Sequence, residues 1–168
     1  MGDLIGLTPQ ATATLLRLLA GWASVAPTTV WWLGDHDPVR WHTDVAHTGQ
    51  VEKREPWMLR LVDVPGAVAA RGYNPHVRGS APLHITDEQC PWNTGLWRLT
   101  VESGQGVLEP STGSSGASIT PRGLALWYAG AATPEQLRRL GLLDGDPAGD
   151  ALLAAATAGP PPRLADYF

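Results

Sequence analysis

The residues of this chain that could do chemistry are a run of histidines and aspartates, one cysteine, one glycine-serine turn and a pair of tryptophans. His36, His42 and His47 fall close to Asp35, Asp37 and Asp44, and imidazole with carboxylate is a donor set that suits a divalent metal. The stretch contains neither an i, i+4 His pair nor a tight repeat, so its spacing favours a solvated polar loop. Cys90 has the type of a nucleophile, but a lone cysteine beside Pro91 in a turn reads better as a small packed residue. Gly113-Ser114-Ser115-Gly116 has the small residues of a phosphate cradle without its lysine or its strand-to-helix setting, and reads as a flexible loop. No dinucleotide fingerprint and no serine nucleophile elbow occurs. Trp31-Trp32 can wall a pocket or fill a core.

Composition narrows the classes. The chain has 168 residues, enough for one domain or a domain with an appendage, and its 43% hydrophobic and 17% charged residues describe a folded chain. A net charge of −4 gives no basic footprint for nucleic acid and is compatible with a cationic small molecule. One cysteine excludes an internal disulfide framework and any multi-cysteine metal site. No apolar run reaches the length of a membrane span and the N-terminus lacks the pattern of a signal peptide, so a cytoplasmic location is expected.

The elements that must position these residues begin with Thr8-Pro9, a cap and first-turn proline for a helix with Leu15, Leu16, Leu19 and Trp22 on one face, closed by Gly21. Thr28–Leu33 reads as a strand, Val39–Asp44 as a short helix, and the charged residues that follow as a loop that could separate two substructures. Pro56–Val62 alternates as a strand; Asp63 and Pro65 then open a short helix that Gly72 closes as a left-handed cap. Leu83–Asp87, Leu96–Glu102, Val107–Glu109 and Ile119 read as strands, with Trp97, Leu99 and Val101 inward and a hairpin turn at Ser103–Gly106. Three helices follow, opened by Thr120-Pro121, Thr133–Gln136 and Asp146-Pro147. Strands early and helices late predict an α+β fold, an antiparallel sheet with helices packed on one face.

Three motifs carry a resemblance. Leu59–Tyr73 is similar to the Arg-Leu-Val-Asp-Val-Pro…Ala-Ala-Arg-x-Tyr signature of the enhanced intracellular survival (Eis) acetyltransferases. Cys90–Leu99 is similar to that family's Pro-x-Asn-x-Gly-x-Trp-Arg-Leu strand entry, and Leu124–Gly130 to its Leu-x-x-Leu-Tyr-x-Gly-Gly helix. Asp3–Pro9, Asp37–Arg40 and the proline-rich approach to Phe168 resemble further parts of the family in the same order.

Members of that family have an acetyl-CoA-binding GNAT domain, a second GNAT-like domain and a sterol-carrier-like C-terminal domain. The resemblance assigns residues 1–54 to the end of the second domain and 55–168 to the third. It implies no cofactor site in this chain, because the acetyl-CoA pyrophosphate loop and the family's general-acid tyrosine have no counterpart. Acetyl transfer would therefore need acetyl-CoA held by a GNAT-domain partner chain. The resemblance also implies that the terminal carboxylate, here that of Phe168, acts as general base on an amine. An apolar surround would raise its pKa toward the working range. Asp166 would add negative potential and Tyr167 would line the rim of an amine pocket that Trp31 and Trp32 could wall.

Two other readings are a stand-alone sterol-carrier-type module for an apolar small molecule, and a scaffold reused for other secondary-metabolism chemistry. A partial second domain predicts uncovered seams and hence a homo-oligomer.

Overall fold

A computed structural model describes residues 4–34, 37, 39–43, 49–53, 56–113, 116–160, 162 and 164. Four helices start on one local device, a Thr or Asp side chain accepting a backbone N–H three residues on, with proline in the first turn. Thr8 caps α1 (Pro9–Gly21), Asp63 caps α3 (Val64–Ala70), Thr120 caps α4 (Pro121–Ala129) and Thr133 caps α5 (Pro134–Arg139). At Thr133 the reciprocal bond from Gln136 completes a capping box. The short α2 spans Val39–His42 and α6 spans Asp150–Ala156.

Five strands form one sheet: β1 (Gly79–Ile85), β2 (Gly95–Glu102), β3 (Gln105–Pro110), β4 (Ala117–Ile119) and β5 (Leu143–Gly145), ordered β3-β2-β1-β4-β5. All neighbours are antiparallel except β1 and β4, which run parallel. The β2–β3 hairpin turns on Ser103 and Gly104 with φ of 52° and 81°, the two left-handed residues that match strand twist. One face of the sheet is buried through Leu83, Ile85, Leu99, Val101, Leu108 and Ile119. Against it pack Val64, Val68, Leu124, Trp127, Leu137 and Leu153 from the helices, in one continuous core. This is the expected α+β architecture.

The described residues divide into two compact units, one reaching Trp57 and the other Met58–Pro162. The second owns the sheet and this core. In the first, α1 and α2 are the regular elements among the described residues, and only Thr12 and Val39 are buried. The face expected from Leu15, Leu16 and Leu19 is only half-buried, and Trp22 is exposed.

Several sequence expectations need correction. Thr28–Leu33 and Pro56–Val62 form no ladder: both lack regular secondary structure, because alternation predicts which side chains want burial but a strand also needs a neighbour for its backbone. The helix at Asp63 stops at Ala70 with Arg71 extended (φ −76°, ψ 138°), so Gly72 is not a left-handed cap. Asp146-Pro147 opens a 3-10 turn, Pro147–Gly149, rather than α6 itself. The three-residue β5 went unpredicted.

Candidate functional site

A groove of about 440 Å³ opens in the first unit beside α1. Leu16, Leu19 and Ala20 of the helix supply an apolar side, Trp31 adds an indole, and Arg17 and His42 bring polar groups. The helix ends at Gly21 and turns back through Trp22, whose N–H reaches Leu19 and Ala20 carbonyls. That turn precedes the stretch carrying Trp31. An apolar trough with a guanidinium and an imidazole suits a small ligand with an apolar body and a polar or anionic end.

Of the expected pocket residues, Trp31 lines this groove, whereas Trp32 is 42% exposed and is not among the lining residues. Asp166, Tyr167 and Phe168 lie outside the described residues, as do Asp35, His36, Asp44 and His47. His42 is exposed. Asp37 accepts the Val39 N–H at 3.0 Å, which starts α2. Among the described residues no three His, Cys, Asp or Glu side chains converge as a metal site.

The three signature motifs, Leu59–Tyr73, Cys90–Leu99 and Leu124–Gly130, build structure in the second unit. Asp87 is buried, and its Oδ1 accepts Arg60 Nη2 at 2.6 Å, the Gln89 N–H at 3.1 Å and the Cys90 N–H at 2.9 Å. Burial pushes its carboxyl up, but the bonds from Cys90, Asn93 and Arg60 outweigh that and hold it below its ordinary value. Cys90 is buried in the same turn with its sulfur 3.7 Å from Arg60 Nη2, a packed residue as its setting predicts. The amide of Gly113 donates to Ser111 Oγ at 3.3 Å, so the glycine-serine loop uses that donor internally.

Asn93, fully buried, accepts the Val64 N–H at 3.1 Å and donates to the Val62 carbonyl at 3.0 Å. Trp92 Nε1 donates to the same carbonyl at 2.7 Å. Tyr73 and Tyr128 donate to the Val68 and Ala67 carbonyls at the end of α3. The Arg71 guanidinium lies 5.7 and 5.4 Å from their ring centres. Arg71 and Tyr73 come from the first signature, Asn93 from the second and Tyr128 from the third, so the three motifs meet at one short helix. Their sequence spacing carried no sign of this meeting; of the polar groups at the groove, Arg17 did not stand out in the sequence and His42 did so only as a candidate metal ligand.

Comparison with known proteins gives these features a lineage. The sterol carrier protein domain matches residues 64–165. A GCN5-related N-acetyltransferase from Kribbella flavida is 36% identical with a TM-score of 0.82, over 99% of this chain and 42% of its own. Eis1 from Mycobacterium abscessus is 26% identical with a TM-score of 0.70, over 99% of this chain and 42% of its own. An uncharacterized N-acetyltransferase of Streptomyces coelicolor is 30% identical over 77% of this chain and 31% of its own length. The chain thus spans less than half the length of each. Its fold is that of the corresponding part of GCN5-related N-acetyltransferases.

Proposed function

This chain belongs to the sterol carrier protein domain family, and from that footing we propose that it is the C-terminal portion or companion subunit of an Eis-like N-acetyltransferase. In this reading it completes the amine pocket of an acetyltransferase and does not itself hold acetyl-CoA. The observation that carries it is the similarity to the Kribbella flavida acetyltransferase, which runs over nearly all of this chain and over a minor part of that one.

The proposed chemistry rests on the Phe168 carboxylate. An amine is mostly an ammonium near neutral pH and must lose a proton before it can attack. A carboxylate within hydrogen-bond reach accepts that proton, and the freed nitrogen bonds to the acetyl carbon as the thiolate of CoA leaves and is protonated. Acetyl-CoA would be supplied by a partner GNAT domain. Asp166 would favour the approach of a cation, Tyr167 would close the rim, and Trp31 and Trp32 would give flat walls to the substrate.

The test combines the full chain with an acetyl-CoA-binding GNAT domain and follows CoA release with a panel of primary amines. Transfer is expected only with both components. Converting the Phe168 carboxylate to an amide is expected to lower the rate by roughly 100-fold, the usual contribution of a positioned base. Absence of transfer in a well-folded mixture, or an amide as active as the acid, would overturn the reading.

The groove at Trp31 favours a second reading, a module that binds an apolar small molecule unaided. Titration of the chain alone with decanoate would then quench tryptophan fluorescence; a flat titration would remove it.

A further inference from the structure

Among the described residues, one buried side-chain polar atom has no hydrogen-bond partner, and it is Arg71 Nε. Its neighbours in the second unit are served: the indole N–H groups of Trp97 and Trp127 reach the Asn93 and Leu153 carbonyls, each at 2.9 Å. The hydroxyls of Tyr73 and Tyr128 are spent on the Val68 and Ala67 carbonyls, so what these side chains offer Arg71 is their rings. Tyr73 is also fitted closely from the sheet side, where a Cβ on Gly106 would strike its ring.

The charge of Arg71 is as poorly matched as its Nε. Arg60, Arg78, Arg138 and Arg139 each pair with a carboxylate, two of them at 77% exposure, where a partner is needed least. Arg71 is half-buried and pairs with none of the described residues. Its Nη1 and Nη2 have no described partner either, but unlike Nε they keep access to solvent. A buried donor left unbonded in an otherwise satisfied structure calls for a physical reason.

A cation dried on one side and open at its fork attracts an anion more strongly than a hydrated one. The local dielectric is lower there, and part of the desolvation is already complete. We infer that the Arg71 guanidinium, framed by Tyr73 and Tyr128, is a binding site for a small monocarboxylate. The planar fork matches the two oxygens of a carboxylate, and its single charge suits a monoanion better than a phosphate dianion. The site uses none of the residues assigned to acetyl transfer, so its failure would leave the proposed function standing.

The experiment titrates the full chain with sodium propionate at constant ionic strength and slightly acid pH, following arginine Nε–H signals by NMR. Exposed Arg98 is the reference within the same spectrum. Arg71 is expected to shift and saturate at a propionate concentration at least about tenfold below the one that moves Arg98. Phosphate is expected to bind more weakly than propionate. Tyr128→Phe keeps the ring and is expected to keep this preference, whereas Tyr128→Leu should bring Arg71 to within about twofold of Arg98. Arg71→Lys keeps the charge without the fork and is expected to abolish the saturable shift of the backbone amides at residues 70–73. The signals of buried Leu99 and Val101 verify that each variant is folded.

Parallel titration of Arg71 and Arg98 in the unaltered chain overturns the site, as does a saturable shift that survives Arg71→Lys. A folded Tyr128→Leu chain as selective as Tyr128→Phe overturns the part given to the rings. Tighter binding of phosphate than of propionate overturns the carboxylate assignment.

Discussion

Asn93 and Val64 are 29 residues apart, and the carboxamide oxygen of the first accepts the first helical N–H of the second at 3.1 Å. The same side chain donates to the Val62 carbonyl, so one fully buried amide satisfies both sides of the entry to α3. Replacing it with Leu leaves those backbone groups buried without partners. Asn93→Leu is expected to cost roughly 2–4 kcal/mol, and Asn93→Asp to be destabilising as well, since an acceptor-only carboxylate cannot donate to Val62. Urea unfolding followed by near-ultraviolet circular dichroism measures both; wild-type midpoints would show that the latch is dispensable.

Asp87 gives the second unit a dependence on acid. Its folded pKa lies below the ordinary carboxylate value, so the stability it contributes is complete above the unfolded pKa, near 4, and is lost as pH falls through the lower folded value. Asp87→Asn is expected to lower stability at pH 7 and to flatten the loss as pH falls below the unfolded carboxylate value, near 4. Thermal unfolding across that range checks it, and parallel curves for the two proteins would refute it.

The alkaline side belongs to Tyr73. Burial pushes its phenol up to about 12, against the opposing pull of Arg71. A neutral phenol favoured by the fold contributes stability that is present below the unfolded pKa, near 10, and lost as pH rises toward 12. Ultraviolet titration of phenolate should show one late tyrosine that is absent from Tyr73→Phe. Ionisation of all tyrosines near pH 10 would contradict it.

Trp31 and Trp32 should separate in a titration of the groove with decanoate, since Trp31 lines it and Trp32 is not among its lining residues. If decanoate binds, Trp31→Ala is expected to weaken it about tenfold or more, while Trp32→Ala changes it little. Equal losses in the two variants would place binding elsewhere.

What could be read from the sequence was local. Thr8, Asp63, Thr120 and Thr133 announce their helices because a cap is satisfied within four residues. The β2–β3 hairpin shows for the same reason, its turn residues adjoining the strands they join. The parallel pairing of β1 with β4 and the three-residue β5 depend on contacts across long separations, to which period-two patterning is blind. At Thr28–Leu33 and Pro56–Val62 the pattern named a wish for burial, and the described residues there form no strand. In the groove Trp31 was legible by its type, but Arg17 and His42 enter it through the path of the backbone around α1, which no spacing records.

The uneven burial of the two units has a consequence for handling the molecule. Up to Trp57 only Thr12 and Val39 are buried among the described residues, so that part has almost no core with which to resist local opening. The residues from Met58 onward share a continuous core. Brief trypsin digestion should therefore cut at Arg17 and Lys53 within minutes and leave a durable fragment containing the whole sheet, while a bound partner that covers the first part should slow those cuts.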